Sequence, residues 1–345
     1  MSTQQGAILL FGGNSEERLV SVASAQNLAE QYSFAKLLFQ APDEKVYEVG
    51  PAELRAHRDS FVKEFQPEST KPMANNLTEA IPFLKGHTLF LGYHGSQGED
   101  GQVQKLFESH GIAFTGSGSQ ASHDAFDKHL AKKIIQKTSV KTAISFEFNL
   151  KNRVTQKTQL ETFLKNHRKM VMKPTTSGSS FGLQIVGNEA QLEAALQQMQ
   201  TLPFETYLVE NFITGRELTV AVANIDGKMQ ALPASEVVLN EGHSFDYNGK
   251  YLGAGTTELT PAPISEAQMK AAQQVALESH QALGCYGYSR TDMILAEDGI
   301  YFLETNTLPG MTKASFVPQQ LTAAQMKLSD FIARQLKLAE LRYTN

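Results

Sequence analysis

The chain begins with a continuous apolar run, residues 7–11, that Gly12-Gly13 breaks and that Asn14 or Ser15 follows at the place of a helix cap. A run this short and this apolar predicts a buried strand. Similar strands recur at residues 35–39 and 88–92. A helical pattern near 103–110 stops at Gly111, and residues 112–115 read as another strand. Strands that alternate with helices predict a parallel α/β sheet. Residues 50–86 are polar and without a clear period, so the pattern assigns them no element.

Further along, residues 119–137 read as one long helix. Strands at 143–148, 170–173 and 183–186, with helices around 159–166 and 189–199, give a block of α+β character. A third block begins near Tyr207. Its residues 217–222 alternate with period two, and the Gly- and Asn-rich residues 246–255 read as a long loop. Ser265 and Gln268 form a capping-box pattern for a helix to about Leu283. A hairpin and a last helix from about Ala323 complete the pattern, with no internal repeat or low-complexity segment.

The hairpin carries the sharpest local chemistry. Residues 288–295 and 300–306 are strand-like, and Glu297-Asp298-Gly299 joins them. A three-residue loop with glycine last places Asp292 opposite Glu304 and Arg290 opposite Asn306. Period two then puts all four on one face. Such a face is costly unless it meets charge or solvent. Two carboxylates and a carboxamide suit Mg²⁺, which often takes one or two carboxylates and completes its shell with substrate phosphates. A solvated face with cross-strand ion pairs fits the same spacing, and spacing leaves both readings open.

Composition narrows the class. The 345 residues exceed one ordinary core, so two or three packed domains are expected. With 41% apolar and 19% charged residues, the chain has a globular composition, and its net charge of −5 argues against a partner such as nucleic acid. Cys285 stands alone, so neither an intrachain disulfide nor a cysteine zinc site is available; packing is the expected role. The first residues lack a basic segment, and the apolar run after them is too short for a signal peptide or a membrane span. A cytoplasmic protein without a membrane partner is the expectation.

Two glycine segments could hold anions. Residues 175–182, Thr-Thr-Ser-Gly-Ser-Ser-Phe-Gly, link Lys173-Pro174 to the next strand and could wrap phosphate oxygens, with Lys173 and Lys128 to neutralise them. The segment is not a P-loop, and an ordinary polar turn fits it as well. Gly12-Gly13-Asn14-Ser15-Glu16-Glu17 lacks the dinucleotide fingerprint. Glu17 falls in a first helical turn, where the helix dipole favours a carboxylate even in a purely structural role.

Taken in order, these segments resemble the D-alanine–D-alanine ligases of the ATP-grasp superfamily. The resemblance runs through residues 10–21 (Gly-Gly-Asn-Ser-Glu-Glu with Val20-Ser21), His94-Gly95, Gly98-Glu99-Asp100-Gly101 and Thr115-Gly116-Ser117-Gly118. It continues through Asp127-Lys128, Lys173-Pro174 with Gly178-Ser179-Ser180, Glu210, Glu217, Lys250-Tyr251 and Arg290-Thr291-Asp292. It ends at Glu304-Thr305-Asn306-Thr307-Leu308-Pro309-Gly310-Met311-Thr312 and Ser315. The chain departs from the family pattern at Phe316, Thr291 and Asn211-Phe212, and residues 40–86 match poorly.

The resemblance implies a three-domain ATP-grasp fold: an N-terminal parallel α/β domain over 1–117, a central α+β subdomain over 118–209 and a C-terminal α+β subdomain over 210–345. It implies that ATP activates one D-alanine as an acyl phosphate and that a second D-alanine attacks it, giving a peptidoglycan precursor. Asp292, Glu304 and Asn306 would hold two Mg²⁺ ions, with Mn²⁺ as a substitute. Lys128, Lys173, Ser179, Ser180 and Lys250 would meet phosphates, and Glu210 and Glu217 adenine and ribose. Glu17, Val20 and His94 would serve the first D-alanine. Arg290 and the Gly310 amide would form an oxyanion hole, Ser315 with Phe316 would receive the second D-alanine, and Ser179 and Tyr251 would tie Glu17 to the closing loops. The family also implies a homodimer. Rival readings are a D-alanine–D-lactate ligase, which the Lys250-Tyr251 pair disfavours, and an ATP-binding regulator without catalysis.

Overall fold

The computed structural model describes residues 6–178, 180–239 and 256–344, and three sheets organise them. The first runs Val46–Val49, Lys36–Gln40, Ile8–Gly12, Thr88–Leu91, Ala113–Phe114. Ile8–Gly12 is parallel to both neighbours, as strand–helix alternation requires. Val46–Val49 returns antiparallel as an edge strand. In the stretch without a sequence assignment lie the helices Pro51–Ala56 and Leu77–Leu84. The second buries Leu77, Ala80, Ile81 and Leu84 at helical spacing, and the Asn76 side chain caps it by accepting from the Glu79 amide. Pro82 inside this helix argues against one in the sequence.

The second sheet, Ser145–Asn149, Thr206–Asn211, Met170–Pro174, Gln184–Val186, is antiparallel throughout. Its core joins Phe148, Met172 and Tyr207 to Leu160, Leu164, Leu192 and Leu196 of the helices Arg153–His167 and Glu189–Met199. The strand from Thr206 therefore does not open a third block. Pairing on both sides places it inside the central sheet.

The third sheet runs Thr256–Leu259, Ser235–Leu239, Arg216–Ile225, Tyr288–Ala296, Gly299–Asn306, Lys141–Thr142. Arg216–Ile225 alternates in sequence, yet both its faces are buried. Leu218, Val220 and Val222 join Ala272 and Ala276 of the helix Glu266–Ala282. Ala221, Ala223 and Ile225 join the core of the first sheet. The period-two pattern here marks two different cores rather than core and water. That shared core also takes Leu308 and Met311, together with Phe331, Ile332 and Leu336 of the C-terminal helix Leu328–Thr344.

Two expected helices differ from their sequence reading. The 119–137 segment is Ser119–Phe126 and Lys128–Ile135, split at Asp127, whose backbone is extended. Its carboxylate accepts from the His129 and Leu130 amides at 2.9 and 3.0 Å, so Asp127 caps the second helix. The last helix is Leu328–Thr344 and starts later than expected, because Ala323 ends a separate helix, Phe316–Ala323, that the pattern did not assign. The capping box at Ser265 and Gln268 forms as expected, with bonds of 3.0 and 3.3 Å. Cys285 packs beside Leu283 and Phe302, and burial pushes its thiol up to about 12.

Candidate active site

The hairpin register is the expected one at the chemical residues: Asp292 faces Glu304 and Arg290 faces Asn306. The route to it differs. Ala296 pairs with Gly299 across a two-residue turn, and a β-bulge after Asp292, opposite Leu303, restores the offset. The bulge also shifts the phase of burial, so Phe302 and Thr305, three apart, both point inward. Behind the face, the Thr291 and Thr305 hydroxyls bond at 2.9 Å, which accounts for a threonine where the family pattern is aliphatic.

Asp292 gathers three donors. Arg290 forks onto it at 2.9 and 2.8 Å, Thr219 donates at 2.5 Å and Asn306 at 3.2 Å. Glu304 Oε2 lies 3.3 Å from Lys128 Nζ, and the same ammonium donates to the Ser177 carbonyl at 2.5 Å. The Asp127 break makes Lys128 the first residue of its helix, where its backbone amide also docks on Thr175 at 2.9 Å. All of these groups except Asp127 and Thr175 line one cleft.

The wall opposite the hairpin is N-terminal. Glu17 precedes the helix Arg18–Gln31, and its carboxylate is pressed against the phosphate-loop backbone. A Cβ on Gly178 would stand 2.3 Å from Glu17 Oε2, so only glycine admits this approach. His94 is buried. Its Nδ1–H donates to the Leu308 carbonyl at 2.8 Å, and its Nε2 accepts from Ser24 at 2.8 Å; burial pulls its pKa down, which keeps this neutral tautomer. At the far end Gly310 abuts Ser315, whose hydroxyl accepts from the Thr312 amide at 3.0 Å instead of capping the helix Phe316–Ala323 that follows it. The Phe316 ring lies 5.8 Å from the Arg290 guanidinium carbon.

Beside the cleft, Glu210 is clamped between two ammonium groups, Lys132 and Lys173, the latter at 2.7 Å. The three are 3%, 1% and 8% exposed, so the cluster is sealed from water. Burial and the nearby Lys173 push the Lys132 ammonium well down.

Comparison with known proteins decides the family. The family models for the D-ala D-ala ligase N-terminus and C-terminus match residues 7–117 and 136–337. A D-alanine–D-alanine ligase of Leptospira interrogans serogroup Icterohaemorrhagiae serovar Lai (strain 56601) is 36% identical, covering 96% of this chain and 97% of its own. That of Syntrophobacter fumaroxidans is 34% identical, covering 98% and 99%. The chain belongs to the D-alanine–D-alanine ligase family. Among solved structures, the VanG D-Ala:D-Ser ligase from Enterococcus faecalis superposes with a TM-score of 0.80 at 27% identity, over 96% of this chain and 98% of that one. The D-alanine–D-alanine ligase from Bacillus anthracis gives 0.75 at 25% identity, with 99% of both chains covered. The three-sheet arrangement is thus the ATP-grasp architecture.

Within this ligase fold the cleft brings together Glu17, His94, Lys128, Glu217, Arg290, Asp292, Glu304, Asn306, Gly310, Ser315 and Phe316. Lys173 and Glu210 stand in the sealed cluster beside it. Ser180 lies on the loop after Gly178 and does not line the cleft. Val20 is fully buried and does not line it either, because it sits on the inward side of its helix. Ser179, Lys250 and Tyr251, and the 246–255 loop, lie outside the described residues.

Several roles emerge only from the structure. Glu99 accepts from the Gly95 and Leu308 amides at 2.9 and 3.1 Å; burial, then the Glu17 charge, push it up to about 8. Gln320, fully buried, ties its helix to the sheet through Ala221, Thr219 and Ser235. Lys132 looks like any lysine of a basic stretch in the sequence, and nothing local announces its burial. The departures from the family pattern are accommodated: the Asn211 side chain accepts from the Ile144 amide at 2.7 Å, and Lys169 Nζ sits 3.8 Å from the Phe212 ring centre.

Proposed function

We propose that this cleft joins two D-alanine molecules into D-alanyl-D-alanine, a peptidoglycan precursor, with ATP supplying the activation. The observation that carries the reading is the convergence of Asp292, Glu304, Asn306 and Arg290 on one hairpin face, opposite Glu17 and above Ser315. Family membership makes the chain an ATP-dependent carboxylate–amine ligase; the residue roles below are the proposal.

Two carboxylates and a carboxamide fit Mg²⁺. Asp292, Glu304 and Asn306 would hold the two ions, which would neutralise phosphate charge during transfer. Lys128, at the start of its helix, meets the transferred phosphate, with Ser180 and the 250–251 pair as further contacts. Glu217 addresses the nucleoside. Glu17 takes the ammonium of the first D-alanine, and the closed Gly178 loop keeps water from the acyl phosphate. Arg290, with the Gly310 amide, stabilises the tetrahedral oxyanion as the second amine attacks and phosphate leaves. Ser315 and the first amides of its helix receive the second carboxylate.

The division into 1–117, 118–209 and 210–345 serves this chemistry as substrate, phosphate and metal units, although packing crosses it. The same reading makes the enzyme a cytoplasmic homodimer; no helix among the described residues is long and apolar enough to cross a membrane. The test is ATP- and Mg²⁺-dependent phosphate release with D-alanine, alone and in competition with D-lactate, with products identified by mass. Dipeptide as the main product is expected. Predominant ester would favour the depsipeptide reading, and no turnover the regulatory one.

A further inference from the structure

The second substrate of the proposed reaction is a zwitterion. Its subsite needs donors for a carboxylate and an acceptor for an ammonium. Ser315 and its helix supply the first. Most carboxylates of the cleft have other duties. Asp292 is held by Thr219, Arg290 and Asn306; Glu304 faces Lys128; Glu17 is wedged against Gly178; Glu99 is spent on two backbone amides.

Glu258 is different. It lies on the edge strand Thr256–Leu259, paired with Val237, and both side chains line the cleft. Its Oε2 accepts from Gln319 Nε2 at 2.8 Å, and that nitrogen also donates to the Ala314 carbonyl at 2.7 Å. Gln319 stands one turn beyond Ser315, with its amide on the Ser315 carbonyl at 3.3 Å. A half-buried carboxylate is thus tethered to the helical turn that begins with Ser315. Among the described residues its Oε1 accepts no hydrogen bond. Burial pushes its pKa up, against the pull of Gln319 and of Arg290, as expected of a carboxylate with no ion-pair partner among the described residues.

We propose that Glu258 binds the ammonium of the second amino acid, and that through it the cleft favours amines over hydroxy acids. An ammonium there pairs with the carboxylate. A hydroxy acid such as D-lactate leaves the desolvated carboxylate with only a neutral partner, a penalty specific to that substrate. The proposal rests on the ligase reading and adds a specificity residue to it.

The test uses the full-length enzyme, with the two D-alanine Michaelis constants resolved by initial rates and products weighed from equimolar D-alanine and D-lactate at one neutral pH. Glu258→Gln keeps the shape and the Gln319 contact. It is expected to raise the second constant roughly 10- to 100-fold, the weight of a hydrogen bond to a charged group, with the first constant unchanged. The amide-to-ester ratio should fall in the same variant. Gln319→Leu should shift both in the same direction by less, and it carries the test if Glu258→Gln does not fold. A folded Glu258→Gln enzyme with unaltered second constant and product ratio overturns the proposal, as does an equal rise in both constants. A wild-type enzyme that makes no dipeptide overturns the ligase reading itself.

Discussion

Two charged clusters sit within one fold and differ in what completes them. On the hairpin, Asp292, Glu304, Arg290 and Asn306 share a face that opens to the cleft. In the central sheet, Glu210 lies between Lys132 and Lys173, sealed from solvent and already neutralised. The first is assembled by register between adjacent strands. The second is assembled by packing a helix from one segment against strands from another. Charge placed by register can face a ligand, because the next strand fixes it without covering it. Charge placed by packing must be answered by protein, since no water reaches it.

The comparison is most severely tested at Glu304. Glu304→Gln keeps its shape and its place opposite Asp292, so the fold should remain while turnover falls by about 10³-fold, at least as far as loss of a strong transition-state contact. Near-normal turnover at ordinary Mg²⁺ would remove Glu304 from the metal face. The opposite signature is expected at Glu210. Glu210→Gln takes the carboxylate from between the buried Lys132 and Lys173, and loss of one partner of a buried ion pair costs roughly 3–5 kcal/mol. Urea unfolding should record that loss; a variant as stable as wild type would mean that the cluster relaxes into solvent.

Arg290 tests the hairpin from its cationic side. Arg290→Ala should cost about 10²–10³ in dipeptide formation, with nucleotide binding retained. Wild-type turnover would reduce Arg290 to a structural partner of Asp292. The smallest effect concerns Glu99, which holds its proton more tightly folded than unfolded. Its contribution to stability is complete below its ordinary value of 4.5 and is lost as pH rises toward about 8. Across that window the wild-type unfolding midpoint should decline more steeply than that of Glu99→Gln, which has no proton to lose. Parallel declines would show that Glu99 is ionised throughout.

Much of this was legible in the sequence where short-range rules apply. The strand at Ile8–Gly12, the helix Glu189–Met199, the Ser265 box and the pairing of Asp292 with Glu304 follow from apolar runs, caps and strand period. The hairpin register followed from a three-residue loop that the structure replaces by a tighter turn and a bulge; the two offsets cancel at the catalytic residues. Other features depend on distant partners. Asp127 reads as one helical residue among many until its cap is seen, and Pro82 masks a helix that packing retains. The alternation of Arg216–Ile225 gives its two faces but not their covers, because the second cover comes from another sheet. Lys132 and Gln320 acquire their roles only when remote segments close over them.

The core shared by the first sheet and the C-terminal helix has a consequence for how the chain is made. Phe331, Ile332 and Leu336 complete an apolar layer whose other members begin at Ile8. A growing chain therefore leaves the flank of its first sheet uncovered until residues 331–336 have left the ribosome. Throughout synthesis that flank can stick to neighbours, and the early half must wait for, or be chaperoned toward, its own tail. Truncation before Phe331 would leave that layer open for good.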